Sequence, residues 1–64
     1  MAHRIDIEVE EFGQRYGGTY SLRGDMVTVR YGATKKATQI GNSRPDYVAR
    51  SLLLEMVRET ETVH

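Results

Sequence analysis

The segment YSLRGDMVTV, residues 20–29, decides the fold of this chain. Two runs rich in apolar residues flank Gly24-Asp25, and glycine at the first position of a two-residue loop is typical of a type II′ hairpin turn. Pairing outward from this turn places Leu22 opposite Val27 and Tyr20 opposite Val29, which brings apolar residues together on one face. The other face pairs Ser21 with Thr28 and Thr19 with Arg30. A shift of one residue would bring apolar side chains opposite polar ones, so the pattern favours this register.

A strand is predicted before this hairpin, at residues 5–10. Apolar and acidic residues alternate strictly there, which is the period-two pattern of a half-buried strand. The apolar positions are Ile5, Ile7 and Val9, and the acidic positions are Asp6, Glu8 and Glu10. Residues 11–17 are polar and contain glycine, so we expect a connection, with Phe12 and Tyr16 against the edge of the core.

A weaker fourth strand is predicted at residues 36–40. After a turn at residues 32–35, Thr38 would lie opposite Val29 and Ile40 opposite Val27. Lys36 would then stand at the start of an edge strand, where a charged residue discourages pairing with foreign strands.

A helix is predicted from about Arg44 to about Glu59. Ser43 suits the N-cap, Pro45 is tolerated in the first turn, and Asp46 can complete a capping box. At 100° per residue, one apolar stripe forms on the helix. It comprises Val48, Ala49, Leu52, Leu53, Met56 and Val57. Negative charge at Glu59 and Glu61 opposes the helix dipole, so fraying is expected at that end.

These elements predict one α+β domain over residues 1–64: an antiparallel meander of three to four strands, followed by a C-terminal helix packed on one sheet face. No apolar run approaches the roughly 18 residues of a membrane span, and the first residues lack a signal-peptide pattern, so we expect a soluble cytoplasmic protein. The chain has no cysteine, which excludes disulfides and thiolate zinc sites. Because so short a chain forms a small core, self-association is the expected support.

The residue inventory argues against catalysis. Imidazoles occur only at His3 and His64, near the two ends, and no nucleophile motif or metal-binding set is present. The acidic residues of the first strand alternate along one exposed face and are explained as a solvated strand surface. We therefore expect no enzyme, no cofactor, no metal site and no catalytic residues.

Two residues of the predicted helix lie outside its apolar stripe. Tyr47 and Leu54 are seven residues apart, on the side of the helix that also carries Ser51 and Arg58. Exposed aromatic and leucine side chains at helical spacing can anchor interfaces. The leading functional interpretation is therefore a non-catalytic interaction module that is homodimeric or binds a protein partner through these four residues. Scattered exposed apolar residues are also normal on monomers, so Tyr47 and Leu54 can equally be plain surface positions.

Nucleic-acid binding is the alternative interpretation. The net charge is zero, but residues 13–43 are basic and residues 1–12 acidic. The candidate patch in the basic segment 15–36 comprises Arg15, Arg23, Arg30, Lys35 and Lys36. Such residues, interleaved with tyrosines, are what a sheet uses to bind single-stranded RNA. The predicted register buries Tyr20 and Tyr31, however, so this reading is disfavoured, and it falls further if Glu8 or Glu10 interrupts the patch.

Parts of the sequence resemble two groups of known proteins. Lys35-Lys36-Ala37 and the helix 49–57 resemble parts of a double-stranded-RNA-binding domain, but the first helix of that family is missing. A wider resemblance is to small uncharacterised bacterial proteins. It is carried by residues 18–20, 27–29, 38–41, 45–50 and 52–53. This resemblance implies a small bacterial domain of unknown function and assigns no activity, substrate or site residue.

Overall fold

The structure, a computed structural model, describes residues 4–61 and confirms the predicted α+β fold. Its elements in chain order are β1 (Ile5–Glu11), β2 (Gln14–Arg23), β3 (Met26–Tyr31), β4 (Thr34–Gln39) and α1 (Pro45–Glu61). The four strands form one antiparallel sheet in the order β1-β2-β3-β4. All strand connections are therefore hairpins, β1 and β4 are the edges, and α1 lies on one face.

The central hairpin has the predicted register. Leu22 pairs with Val27 and Tyr20 with Val29, while Ser21 and Thr19 face Thr28 and Arg30. Gly24 has a φ of 61°, which is the left-handed conformation that the first position of a type II′ turn requires. Turn chemistry and apolar pairing therefore specify the same alignment of β2 and β3.

The connection predicted at residues 11–17 is wrong. The chain turns within two residues, because Phe12 and Gly13 both adopt left-handed φ values of 55° and 74°, and β2 already begins at Gln14. Two successive positive φ values match the twist of a tight hairpin, although phenylalanine is an unusual residue there. Phe12 is consequently 53% exposed instead of lying against the core, whereas Tyr16 does pack against it.

The predicted fourth strand is confirmed, but its predicted register with β3 is wrong by two residues. Tyr31 pairs with Thr34 across the two-residue loop Gly32-Ala33, where the positive φ of Gly32 makes the turn tighter than predicted. Thr38 therefore faces Val27. Because the shift is even, every β4 side chain keeps its predicted face of the sheet.

The core lies between α1 and one face of the sheet. It consists of eight buried side chains: Ile7, Tyr20, Val27, Val29, Ala49, Leu53, Met56 and Val57. Gly18 of β2 lies beneath the helix, and a Cβ built on it would stand 3.1 Å from Leu53 Cδ1 and 2.6 Å from the Arg30 carbonyl oxygen. The missing side chain at Gly18 therefore lets Leu53 rest on the backbone of the sheet.

The predicted capping box at the helix start is wrong. The Val48 amide donates to the Arg44 carbonyl at 3.0 Å, so Arg44 is the N-cap and Pro45 the first helical residue. Proline is favoured at this position because its missing N–H has no helical partner to lose. Ser43 instead donates its amide to the Ile40 carbonyl at 2.9 Å and closes the preceding turn.

The last turn of α1 makes side-chain contacts with the sheet, and these contacts act against the predicted fraying. Lys36 Nζ donates to both carboxylate oxygens of Glu59, at 2.7 and 2.8 Å, and Tyr31 donates its hydroxyl to Glu61 at 2.8 Å. These contacts with β3 and β4 offset the unfavourable dipole interaction, and the helix continues to Glu61.

Candidate functional site

The face of the sheet opposite α1, here called the open face, has a floor of short side chains at its centre. Ser21 of β2 and Thr28 of β3 are directly paired, and Ala37 of β4 pairs with Thr28 on its other side. Ser21 and Thr28 are half-buried, although no element within residues 4–61 covers this face. A recess surrounded by longer side chains explains their partial burial.

Four basic residues surround this floor, and we call them the cation ring: Arg4, Arg23, Arg30 and Lys35. The pairing of Ile5 with Tyr20 brings Arg4 beside Ser21, and Arg23 follows Ser21 by two residues on the same face. Arg30 follows Thr28 by two residues and pairs with Lys35. With strands about 4.8 Å apart and about 3.3 Å per residue, all four Cα atoms lie roughly 7–10 Å from the centre of the floor.

The cation ring and the floor enclose a cavity of about 260 Å³. Its lining consists of Arg4, Ser21, Arg23, Thr28, Arg30 and Lys35. Within residues 4–61, none of the four cations of the ring has an ion pair or a side-chain hydrogen bond. Their charges therefore face water, with two hydroxyl groups between them.

Acidic residues border the cation ring on the β1 side. Asp6, Glu8 and Glu10 point to the open face, and Asp6 is separated from Arg30 by Thr19 alone in the same row of pairs. Arg15 belongs to this acidic part, because it pairs with Glu10 and its guanidinium lies 3.8 Å from Glu8. The structure thus separates Arg15 from the cation ring.

Lys36 is separated from the ring by the sheet itself. It pairs with Val29, on the face that α1 covers, and its ammonium group is engaged by Glu59. Of the five basic residues predicted as one patch, the structure brings together Arg23, Arg30 and Lys35 and excludes Arg15 and Lys36.

Aromatic side chains are absent from the described part of the open face. Tyr16, Tyr20 and Tyr31 all lie on the helix side of the sheet, where Tyr16 and Tyr31 make an edge-to-face contact with ring centroids 6.3 Å apart. The open face can therefore contact phosphate or other anionic groups, but it offers no ring on which a base could stack.

The four residues of the predicted protein interface on α1 are not all accessible in the structure. Tyr47 is 70% exposed and Ser51 is exposed, whereas Leu54 is half-buried. Arg58 donates through Nε to Glu11 of β1. Tyr47 lines a depression of about 520 Å³ at the start of the helix, together with Arg44 and Arg50. Tyr47 and Ser51 thus remain accessible, while Arg58 helps to hold the helix on the sheet.

Sequence reasoning missed Arg4 as a member of the site. The signal that could have found it is the period-two pattern of β1, because Arg4 shares the face of Asp6, and the step from Ile5 to Tyr20 places it beside Ser21. The floor was also missed as a feature, although Ser21 and Thr28 were correctly paired.

Neither a metal site nor a membrane-spanning helix is found in residues 4–61. No group of three His, Cys, Asp or Glu side chains lies close enough to hold an ion there. Helix α1, which is the single helix in this range, is not apolar enough to cross a bilayer. His3 and His64, the two imidazoles noted in the sequence, fall outside the described residues.

Comparison with known protein families, with curated proteins and with solved structures finds no match to this chain. This outcome is consistent with the sequence resemblance, which implies a protein of unknown function.

Proposed function

We propose that this chain is a small non-catalytic binding module, and that the open face of its sheet holds an anionic partner. The observation that carries the proposal is the cation ring: Arg4, Arg23, Arg30 and Lys35 surround two hydroxyl groups, and within residues 4–61 no acidic side chain pairs with any of the four. Like charges placed together without counter-charges destabilise a folded chain slightly, so an anion that binds them offsets this repulsion.

The alternation of β2 and β3 supports the same proposal. Each strand buries its apolar side chains under α1 and turns short hydroxyl residues and long cations to the other side. A merely solvated face requires polar residues but no recess. The half-buried Ser21 and Thr28 beneath the cations indicate a shape that can exclude some water from a bound group.

A nuclear magnetic resonance titration tests this function. We expect long-chain inorganic polyphosphate, added at low salt, to shift the backbone amide signals of β2 and β3 around Ser21 and Thr28. The substitutions Arg30→Gln and Lys35→Gln should each weaken binding by about tenfold, because a hydrogen bond to a charged group contributes about 1.5 kcal/mol or more. Raising the salt concentration should weaken binding further.

Arg50→Gln is the matched control. It removes one positive charge from the exposed surface of α1, at a residue that does not line the cavity of the open face, and should change the affinity for polyphosphate less than twofold. Unchanged spectra of the wild type at low salt would rule out the proposed function. Equal losses in Arg50→Gln and Arg30→Gln would show attraction by net charge without a site.

A second candidate function is self-association through α1. Tyr47 is the most exposed large hydrophobic side chain of the described residues, and a second copy is the support that a chain with eight buried residues can use. We expect wild type to dimerise and Tyr47→Ser to be monomeric in sedimentation equilibrium. A monomeric wild type at concentrations on the order of tens of micromolar would eliminate this candidate.

We also propose that the protein acts in the bacterial cytoplasm. The support for this assignment is the resemblance of its sequence to small bacterial proteins.

A further inference from the structure

We infer that the ligand of the cation ring is a compact anion that carries two adjacent phosphate groups, such as a diphosphate. This inference rests on the proposed function, because it names the chemical class of the anion that the open face would hold. The alternatives are a nucleic-acid chain and an acidic peptide, and the arrangement of the ring argues against both.

The number of charges matches two phosphate groups. The cation ring carries four positive charges, three of them on arginines. A phosphate group carries about −1.5 to −2 charges near neutral pH, so two of them joined in a diphosphate carry about −3 charges and balance most of the ring. A peptide carboxylate carries a single charge, so a peptide would need four carboxylates around one centre to balance the ring.

The chemistry of the side chains also suits phosphate. Guanidinium groups offer paired N–H donors that match two oxygens of one phosphate, and the ring has three of them. The hydroxyls of Ser21 and Thr28 lie on the floor between these cations, where each can donate to a phosphate oxygen. The site therefore offers hydrogen-bond donors both from the floor and from the surrounding cation ring.

The cations converge on one centre instead of forming a track. Arg4 lies on one side of the floor, Arg23 toward the β2-β3 turn, and Arg30 and Lys35 toward the opposite end of the strands. A nucleic-acid chain needs a continuous basic path that leads away from the site. On the β1 side such a path meets Asp6, which like its neighbours Glu8 and Glu10 would repel a phosphate backbone.

Competing ligands distinguish these possibilities. Isotope-labelled wild-type protein would be titrated at pH 7 and constant ionic strength with inorganic phosphate, pyrophosphate, an octauridylate without terminal phosphates, and a hexaglutamate peptide. We expect pyrophosphate to bind at least tenfold more tightly than phosphate, the octauridylate or the peptide. Its shifts should centre on the amides of Ser21 and Thr28.

Substitutions on opposite sides of the floor test the convergence. Arg23→Gln and Arg30→Gln should each weaken pyrophosphate binding about tenfold and reduce its advantage over phosphate, because one arginine fork is lost in each. Ser21→Ala should weaken it severalfold through loss of a hydroxyl donor. Arg50→Gln, with the same change of charge on α1, should leave pyrophosphate binding within twofold of the wild type.

The outcomes separate this inference from the proposed function. Tighter binding of the octauridylate or the hexaglutamate peptide at the open face would overturn the diphosphate assignment while leaving an anion-binding module intact. Equal affinities for phosphate and pyrophosphate would also overturn the assignment, since a single phosphate would then satisfy the site. Binding of none of these ligands, nor of polyphosphate, would overturn both.

Discussion

Gly18 shows how much a single residue contributes to this fold. It occupies a core-facing position of β2, between Tyr16 and Tyr20, where an apolar side chain would be expected from the alternation. Leu53 of α1 uses the space instead and contacts the backbone of the sheet. The closeness of helix and sheet therefore depends on the absence of a side chain.

Gly18→Ala should destabilise the protein by about 1–3 kcal/mol, because the added methyl group would overlap the Arg30 carbonyl oxygen and crowd Leu53. Gly17→Ala is the matched control: its Cβ would meet only the Ile7 carbonyl oxygen at 3.8 Å, an ordinary contact, so stability should be unchanged or slightly higher. Urea unfolding of both variants checks this prediction. Equal stabilities would show that α1 does not press on the sheet at this point.

Tyr31 provides a titratable marker for the packing of α1. Burial raises the pKa of its phenol above 10.0, and the carboxylate of Glu61 raises the pKa further by accepting a hydrogen bond from the phenol and by repelling the phenolate. Because the pKa in the folded state is above the usual value, the stability that Tyr31 contributes is complete below pH 10.0 and is lost as the pH rises through the folded-state pKa.

Glu61→Gln should therefore lower the pKa of Tyr31, since the amide still accepts a hydrogen bond but carries no charge. A pH titration followed by the ring resonances of Tyr31 measures this change. The same substitution should leave the cavity of the open face unaffected, because Glu61 lies on the other side of the sheet. An unchanged pKa would mean that burial alone perturbs the phenol.

The last turns of α1 contact the sheet through side chains, and the partner residues lie on three different strands. Glu11 of β1 accepts from Arg58, Tyr31 of β3 donates to Glu61, and Lys36 of β4 donates to Glu59. Sequence periodicity identified the helix but predicted a frayed end, because the charges of the isolated helix are unfavourable there. The contacts that act against this fraying join residues between 23 and 47 positions apart in the chain.

A double-mutant cycle measures the contact between Lys36 and Glu59. Their side chains are 35% and 60% exposed, so the coupling energy from Lys36→Gln, Glu59→Gln and the double variant should be about 0.2–1 kcal/mol in urea unfolding. Arg44 and Asp46 form a matched pair near the start of the helix, with N–O distance 3.5 Å and one side chain 82% exposed. Their coupling should be smaller, and the reverse order would contradict the prediction.

At the scale of the whole molecule, stability comes from a single interface. In residues 4–61 one helix covers one face of the sheet, and the core of this range contains eight buried residues. A core of this size leaves roughly 3–5 kcal/mol of net stability. The open face therefore does not have to pack against another element and contacts water instead, which explains how it can carry unpaired cations.

Leu53→Ala should leave the protein largely unfolded at room temperature. Leu53 is fully buried at the centre of this interface, and its truncation removes about 2–5 kcal/mol, which is comparable to the whole expected stability. Leu54→Ala, at the neighbouring half-buried position, should cost clearly less. Circular dichroism and the dispersion of amide resonances check both variants, and a well-folded Leu53→Ala protein would show that other contacts dominate.

The sequence by itself determined the order of the four strands, the central hairpin register and the face of each side chain in residues 5–10, 18–31 and 36–39, because turn geometry and period-two alternation act between near neighbours. It could not determine which cations meet. Arg4 reaches the floor only because β1 pairs with β2, and Lys36 leaves the patch because it pairs with Val29 on the helix side, where it meets Glu59. Tight turns at Phe12-Gly13 and Gly32-Ala33 also set pairings that composition did not reveal. Tertiary structure decided the cation ring, since its members come from three strands and from the residue before β1, which come together only in the folded sheet.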